Sequence, residues 1–215
     1  MAEGVGHMDK EMHSTRREIL FRLRKQGPSS VDALASTLGI TSMGVRRHLA
    51  NLERDGLVTS GMVRRRMGRP SYVYALSEVA DDLFPKNYHG LALELLGDIK
   101  ALDGDEKIDL LFSRRAARLY HAFAPRLAGK DLPGKVQELA RILDENGYLA
   151  EWEKVNGGYL LREYNCVNSR VSQEYPQACA HQLALFSRLL EAQVAREEHL
   201  LRGDHHCCYR IKPKA

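Results

Sequence analysis

Four residues in the last quarter of this 215-residue chain carry its thiol chemistry: Cys166, Cys179, Cys207 and Cys208. The first 165 residues contain no cysteine. Thiolates can bind metal ions, hold iron-sulfur clusters, form disulfides or act as nucleophiles. The nucleophile reading requires a base and an orienting partner. His181, His205 and His206 are available as bases, but the chain has no nucleophile elbow, phosphate loop or HExxH motif. The expected function is therefore not enzymatic.

Four roles for the thiols remain. Free cysteine is a common small core hydrophobe, but Cys166 and Cys179 fall at element boundaries and Cys207-Cys208 follows His205-His206. Structural zinc sites typically use close ligand pairs, and no two cysteines stand two to four residues apart here. A disulfide switch is open, although adjacent cysteines bridge only with strain. An iron-sulfur cluster accepts thiolates from separate loops, which suits ligands spread from 166 to 208.

A sheet must position these thiols. Tyr148 to Lys154 and Gly158 to Tyr164 flank Val155-Asn156-Gly157, a hairpin signal, and Cys166 follows the second strand. Cys179 sits beside Pro176 at the entry to a helix through Leu183, Leu185, Phe186 and Leu189. Further strands are expected at Val194 to Leu200 and at Cys207 to Ile211, giving an α/β body of modest size.

The N-terminal part carries different chemistry. From Ser14 to Leu76 there are twelve Lys or Arg against four Asp or Glu, while the remainder has 20 basic and 24 acidic residues. A basic head on a mildly acidic body indicates a polyanion partner for the head alone. Ser14 and Thr15 open a helix with Ile19, Leu20 and Leu23 inward, ended by Gly27-Pro28. Ser30 opens a second, ended by Gly39, and Thr41 caps a third in which Val45, Leu49 and Leu52 form the inner stripe. Two helices joined by Leu38-Gly39-Ile40-Thr41 make a helix-turn-helix.

The third helix places Ser42, Met43, Arg46 and Arg47 on its early exposed turns, where a recognition helix meets base edges and phosphates. The strands Leu57 to Ser60 and Tyr72 to Leu76 enclose GMVRRRMGRP, a wing whose Arg64, Arg65, Arg66 and Arg69 can reach the flanking DNA backbone or the minor groove. The segment resembles the winged-helix heads of bacterial repressors in the ArsR and DeoR groupings.

Between head and cysteines, Asn87 to Ala101, Asp105 to Leu127 and Gly134 to Glu145 carry helical apolar spacing. Winged-helix regulators commonly read palindromic double-stranded operators as dimers, and the first of these helices is the natural interface.

The fold class expected is α+β. Residues 1–13 form a flexible N-terminus, 14–84 the winged helix-turn-helix domain, 85–130 a helical dimerisation segment, and 131–215 a C-terminal cluster-binding sensor. No apolar run approaches the roughly 20 residues a bilayer span needs. The N-terminus also lacks a signal-peptide core, so a cytoplasmic protein is expected.

At this point the pattern resembles a specific family. Cys166, twelve residues, Cys179, a closing GDHHCCYRI, and a winged helix ending in GRPSYVYAL are similar to the SufR-type iron-sulfur-dependent repressors of cluster-assembly operons. The resemblance runs from about Ser14 to Ile211. It implies a homodimeric repressor with one 4Fe-4S cluster per subunit, binding its operator in one cluster state. Cys166 and Cys179 match the first two family cysteines. The last lies two residues before an aromatic, which selects Cys207 through Tyr209, although interval counting allows Cys208. A further cysteine that some members carry near Gln193 is missing, so the fourth ligand stands open among Cys208, His181, His199, His205, His206 and an exogenous molecule.

Overall fold

The computed structural model describes residues 14–63 and 71–214, which divide into two compact units between Lys86 and Asn87. The segment expected as a flexible N-terminus and the wing arginines Arg64, Arg65, Arg66 and Arg69 lie outside the described residues.

In the first unit, α1 (Ser14–Gln26), α2 (Val31–Leu38) and α3 (Ser42–Arg54) precede a two-stranded antiparallel hairpin of β1 (Val58–Val63) and β2 (Ser71–Leu76). The punctuation of the sequence explains the helix ends. Ser30 accepts the Ala33 N–H and Thr41 accepts the Gly44 N–H, each satisfying an amide with no partner inside its helix. Gly39 closes α2 at φ 66°, a left-handed conformation that favours glycine. Ile19, Leu20, Leu34, Val45, Leu49 and Leu52 are fully buried and form the centre of the core. A short 3-10 turn, Val79–Leu83, brings Phe84 against Phe21, edge to face at 5.6 Å.

The second unit contains α4 (Tyr88–Asp103), α5 (Asp105–Leu127), α6 (Leu132–Glu145), β3 (Ala150–Val155), β4 (Gly158–Glu163), α7 (Ser169–Glu174), α8 (Gln177–Leu190), β5 (Gln193–Glu198) and β6 (Cys207–Lys212). The strands form one antiparallel sheet in the order β3-β4-β6-β5. Leu161, Cys207, Tyr209 and Ile211 share a core with Leu139, Ile142, Leu143 of α6 and Leu185, Phe186, Leu189 of α8. The fold is α+β, as the alternating and helical periods require. Gly158 has a steric role, because a Cβ there would lie 2.1 Å from the Ile211 carbonyl oxygen of β6.

Two expectations are corrected. A boundary at residue 130 cuts through a packed body, since Leu119, Tyr120, Phe123 and Ala124 of α5 lie against the sensor core; an apolar stripe serves intrachain packing as well as association. The strand expected to reach Leu200 stops at Glu198, after a register shift between Arg196 and Glu198, and Leu200–Arg202 forms a 3-10 turn. Among the described residues no helix is long and apolar enough to cross a membrane.

Candidate functional site

The recognition face is built by α3. Burial of Val45, Leu49 and Leu52 turns the opposite face outward, leaving Met43, Arg46 and Arg47 exposed. Ser42 is half-buried, and its hydroxyl donates to the Asp32 carboxylate at 2.9 Å, tying α3 to α2. Three of the four expected contact residues on this helix are thus presented freely, while Ser42 also orients the motif.

The cysteines divide by strand geometry. Cys207 pairs with Glu163 across β6 and β4, and Cys208 pairs with Arg162. Successive side chains on a strand alternate between faces, so Cys207 joins Tyr209 and Ile211 on the core side while Cys208 takes the other. Their surroundings agree. Burial pushes the Cys207 thiol up, against Arg196, with Glu163 and Cys166 in electrostatic reach. Burial likewise raises Cys208, but its charged neighbours are Arg162, Glu198, Glu197 and Arg210.

Cys166 belongs to the Cys207 side. Burial raises its thiol, and Cys179 and Glu163 push in the same direction. The Asn168 backbone N–H and the buried Ser172 hydroxyl oppose that shift. Asn168 is the N-cap of α7 and Ser172 lies within it, a helix the apolar pattern did not reveal. Asn165 pins the loop before it by donating to the Gly147 carbonyl at 2.7 Å, and Asn168 donates to the Tyr148 hydroxyl at 3.2 Å. Cys179, buried in the first turn of α8, has its carbonyl held by Arg196 at 2.8 Å. Cys166, from a loop, is thus in electrostatic reach both of Cys179, at a helix start, and of Cys207, at a strand start.

Glu163 is the unanticipated member of this group. It is 3% exposed, and burial raises its carboxyl to about 7 against hydrogen bonds from Tyr209 and Gln182 and the field of Arg196. The available sequence signal is the alternation of GYLLRE, which puts Tyr159, Leu161 and Glu163 on one face without saying that its charged end is buried.

Two candidate histidines are held through Nε2, although His206 Nδ1 is buried with no partner among the described residues. His181 Nε2 is 2.9 Å from Asp109 on α5. His206 Nε2 is 3.0 Å from Glu198, whose register partner is Cys208, and both His205 and His206 pack on the Tyr164 ring. The His199 backbone N–H donates to Asp204, and burial followed by Arg196 and Arg202 depresses its imidazole. Among the described residues no three His, Cys, Asp or Glu side chains stand close enough to share one metal ion.

Residues 12–61 match a helix-turn-helix domain family. The N-terminal unit is the helix-turn-helix domain of a DNA-binding regulator. Curated proteins gave no match to the chain. Among solved structures, a mutant of Lactococcus lactis ZitR aligns at 23% identity over 56% of this chain and 81% of its own, with a TM-score of 0.33. The same kind of mutant in complex with DNA aligns at 22% over 57% and 84%, TM-score 0.32. ZitR described as a zinc-responsive MarR family member aligns at 21% over 57% and 83%, TM-score 0.32.

Proposed function

We infer that this protein is a dimeric winged-helix repressor, of the SufR type its sequence resembles, whose operator binding depends on a 4Fe-4S cluster held by Cys166, Cys179 and Cys207. The observation that supports this reading is that Cys166 lies in electrostatic reach of both Cys179 and Cys207, the latter on the core side of β6 opposite Glu163. The donor set fits the group. Its thiols are soft ligands largely shielded from bulk water, and the Asn168 backbone and the Ser172 hydroxyl favour the thiolate form of Cys166. Cluster ligands attach to different irons and stand further apart than ligands of one tetrahedral ion, consistent with the lack of a compact single-ion group among the described residues.

When bound, such a cluster supplies a redox-active centre that oxidants can degrade. The chain's own residues would convert its presence into a structural signal. Cys166 leads into the segment Val167 to Val171, which lines a groove with Tyr88, His89 and Ala92 of α4. No residue of α4 is buried, and Tyr88, Leu91, Leu95 and Leu102 stand 73%, 54%, 54% and 84% exposed at heptad-like spacing. A second copy of the chain would cover this stripe, so ordering the Cys166 loop bears directly on the dimer helix. A ligand shifts an equilibrium only by favouring one state, and here that state is the loop clamped against α4.

Operator-binding assays on the cluster-loaded and cluster-free dimer test the reading. The two forms should differ in affinity about 5- to 150-fold, the range of ordinary allosteric coupling. Equal affinities, or a zinc-loaded protein without iron, would overturn it.

A further inference from the structure

We propose that Glu163 is the fourth iron ligand, completing the site formed by Cys166, Cys179 and Cys207; this rests on the cluster reading above. The position is dictated by the sheet. Glu163 ends β4 and is the register partner of Cys207, and directly opposed residues hold their Cβ atoms about 4.5–5.5 Å apart on the same face. Three residues later the chain delivers Cys166. The α8 helix that carries Cys179 in its first turn also carries Gln182, which donates to Glu163 Oε1 at 2.9 Å.

The bonding of Glu163 leaves room for a cation. Of the two buried carboxylates among the described residues, Glu138 is ion-paired with Arg126, whereas no cation lies within ion-pair distance of Glu163. Among the described residues its oxygens accept only from the Gln182 amide and from the Tyr209 hydroxyl at 3.0 Å. A carboxylate oxygen has two lone pairs, so each keeps one to give. A buried carboxylate satisfied by neutral donors alone is costly, and such groups are paired or coordinate metals. The nearby cation, Arg196, donates to the Cys179 carbonyl and lies over the Tyr209 ring at 5.3 Å.

Three of the other candidates stand elsewhere. Cys208 faces away from Cys207, His181 is held by Asp109, and His206 by Glu198 on the Cys208 side. Gln182 and Tyr209 act as positioning residues, fixing the carboxylate as outer partners fix metal ligands generally. An oxygen donor is harder than thiolate, so the iron at Glu163 is the one least firmly held.

The test compares full-length wild type, Glu163→Gln and Glu163→Cys, each reconstituted anaerobically with iron-57 and sulfide. Mössbauer spectroscopy should resolve one distinct iron in wild type, and that iron should become thiolate-like in Glu163→Cys. On mild oxidation Glu163→Gln should yield the paramagnetic three-iron cluster about tenfold faster or more, since even outer-shell substitutions cost roughly 10–100-fold. A distinct iron unchanged in Glu163→Cys, with wild-type iron loss in Glu163→Gln, overturns the assignment while leaving the cluster reading intact. Wild type that takes up no cluster overturns both. Should Glu163→Gln fail to fold by circular dichroism, Glu163→Cys alone decides.

Discussion

Cys207 and Cys208 are adjacent in the chain yet belong to opposite faces of one sheet, Cys207 across from Glu163 and Cys208 across from Arg162. The pleat of β6 therefore separates a thiol in electrostatic reach of Cys166 from an equally buried one whose charged neighbours are Arg162, Glu197, Glu198 and Arg210.

Substitution should expose that separation. Cys207→Ser is expected to abolish iron and sulfide retention, whereas Cys208→Ser keeps both at the wild-type ratio. Iron and acid-labile sulfide analysis after anaerobic reconstitution distinguishes them, and loss in Cys208→Ser would reverse the assignment.

Much of this arrangement was written in the sequence. Ser30, Gly39 and Thr41 punctuate the helix-turn-helix because capping and left-handed backbone are local demands, met by the same residue types wherever they occur. The span Asp105–Leu127 of α5 was likewise legible from its apolar period. What escaped depends on tertiary context. The α7 helix has only six residues and little apolar repeat, and Glu163 reads as surface until its strand partners are known. The choice of the first helix as the interface rests on its place after the head, since the apolar stripes of α4 and α5 carry the same period.

The recognition helix gives a second prediction. Arg46→Ala and Arg47→Ala should each weaken operator binding without altering the fold, because both side chains are exposed. Loss of a base contact costs about 1–3 kcal/mol and relaxes specificity at one position, while loss of a phosphate contact lowers the salt slope by about 1. Titrations at several salt concentrations sort the two arginines into these roles.

Dimerisation should depend on the exposed face of α4. Leu95→Glu places a charge in the middle of the stripe of Leu91, Leu95 and Leu102 and is expected to yield monomers in sedimentation velocity. Operator affinity should fall with it, since two linked recognition helices bind more tightly than one. A Leu95→Glu protein that remains dimeric places the interface elsewhere.

Acid stability has an identifiable contributor. Arg126 hydrogen-bonds Glu138 and Glu145, joining the end of α5 to α6, and its guanidinium holds the Glu138 carboxyl below the ordinary carboxylate range. A depressed folded-state value means that the unfolded chain binds the proton more readily. This stability is full above the ordinary carboxylate range and is lost as pH falls through and below it. Arg126→Met should lower the melting temperature by a few degrees at pH 7 and flatten its decline on acidification. Thermal melts between pH 7 and pH 3 check both.

The central claim is most directly tested on anaerobically purified, full-length protein, by iron and sulfide analysis coupled to operator binding before and after cluster removal. The account predicts a brown protein approaching four irons and four sulfides per chain, with thiolate-to-iron charge-transfer absorption, whose operator affinity changes when the cluster is lost. A colourless protein, or one whose affinity is the same with and without the cluster, would contradict it.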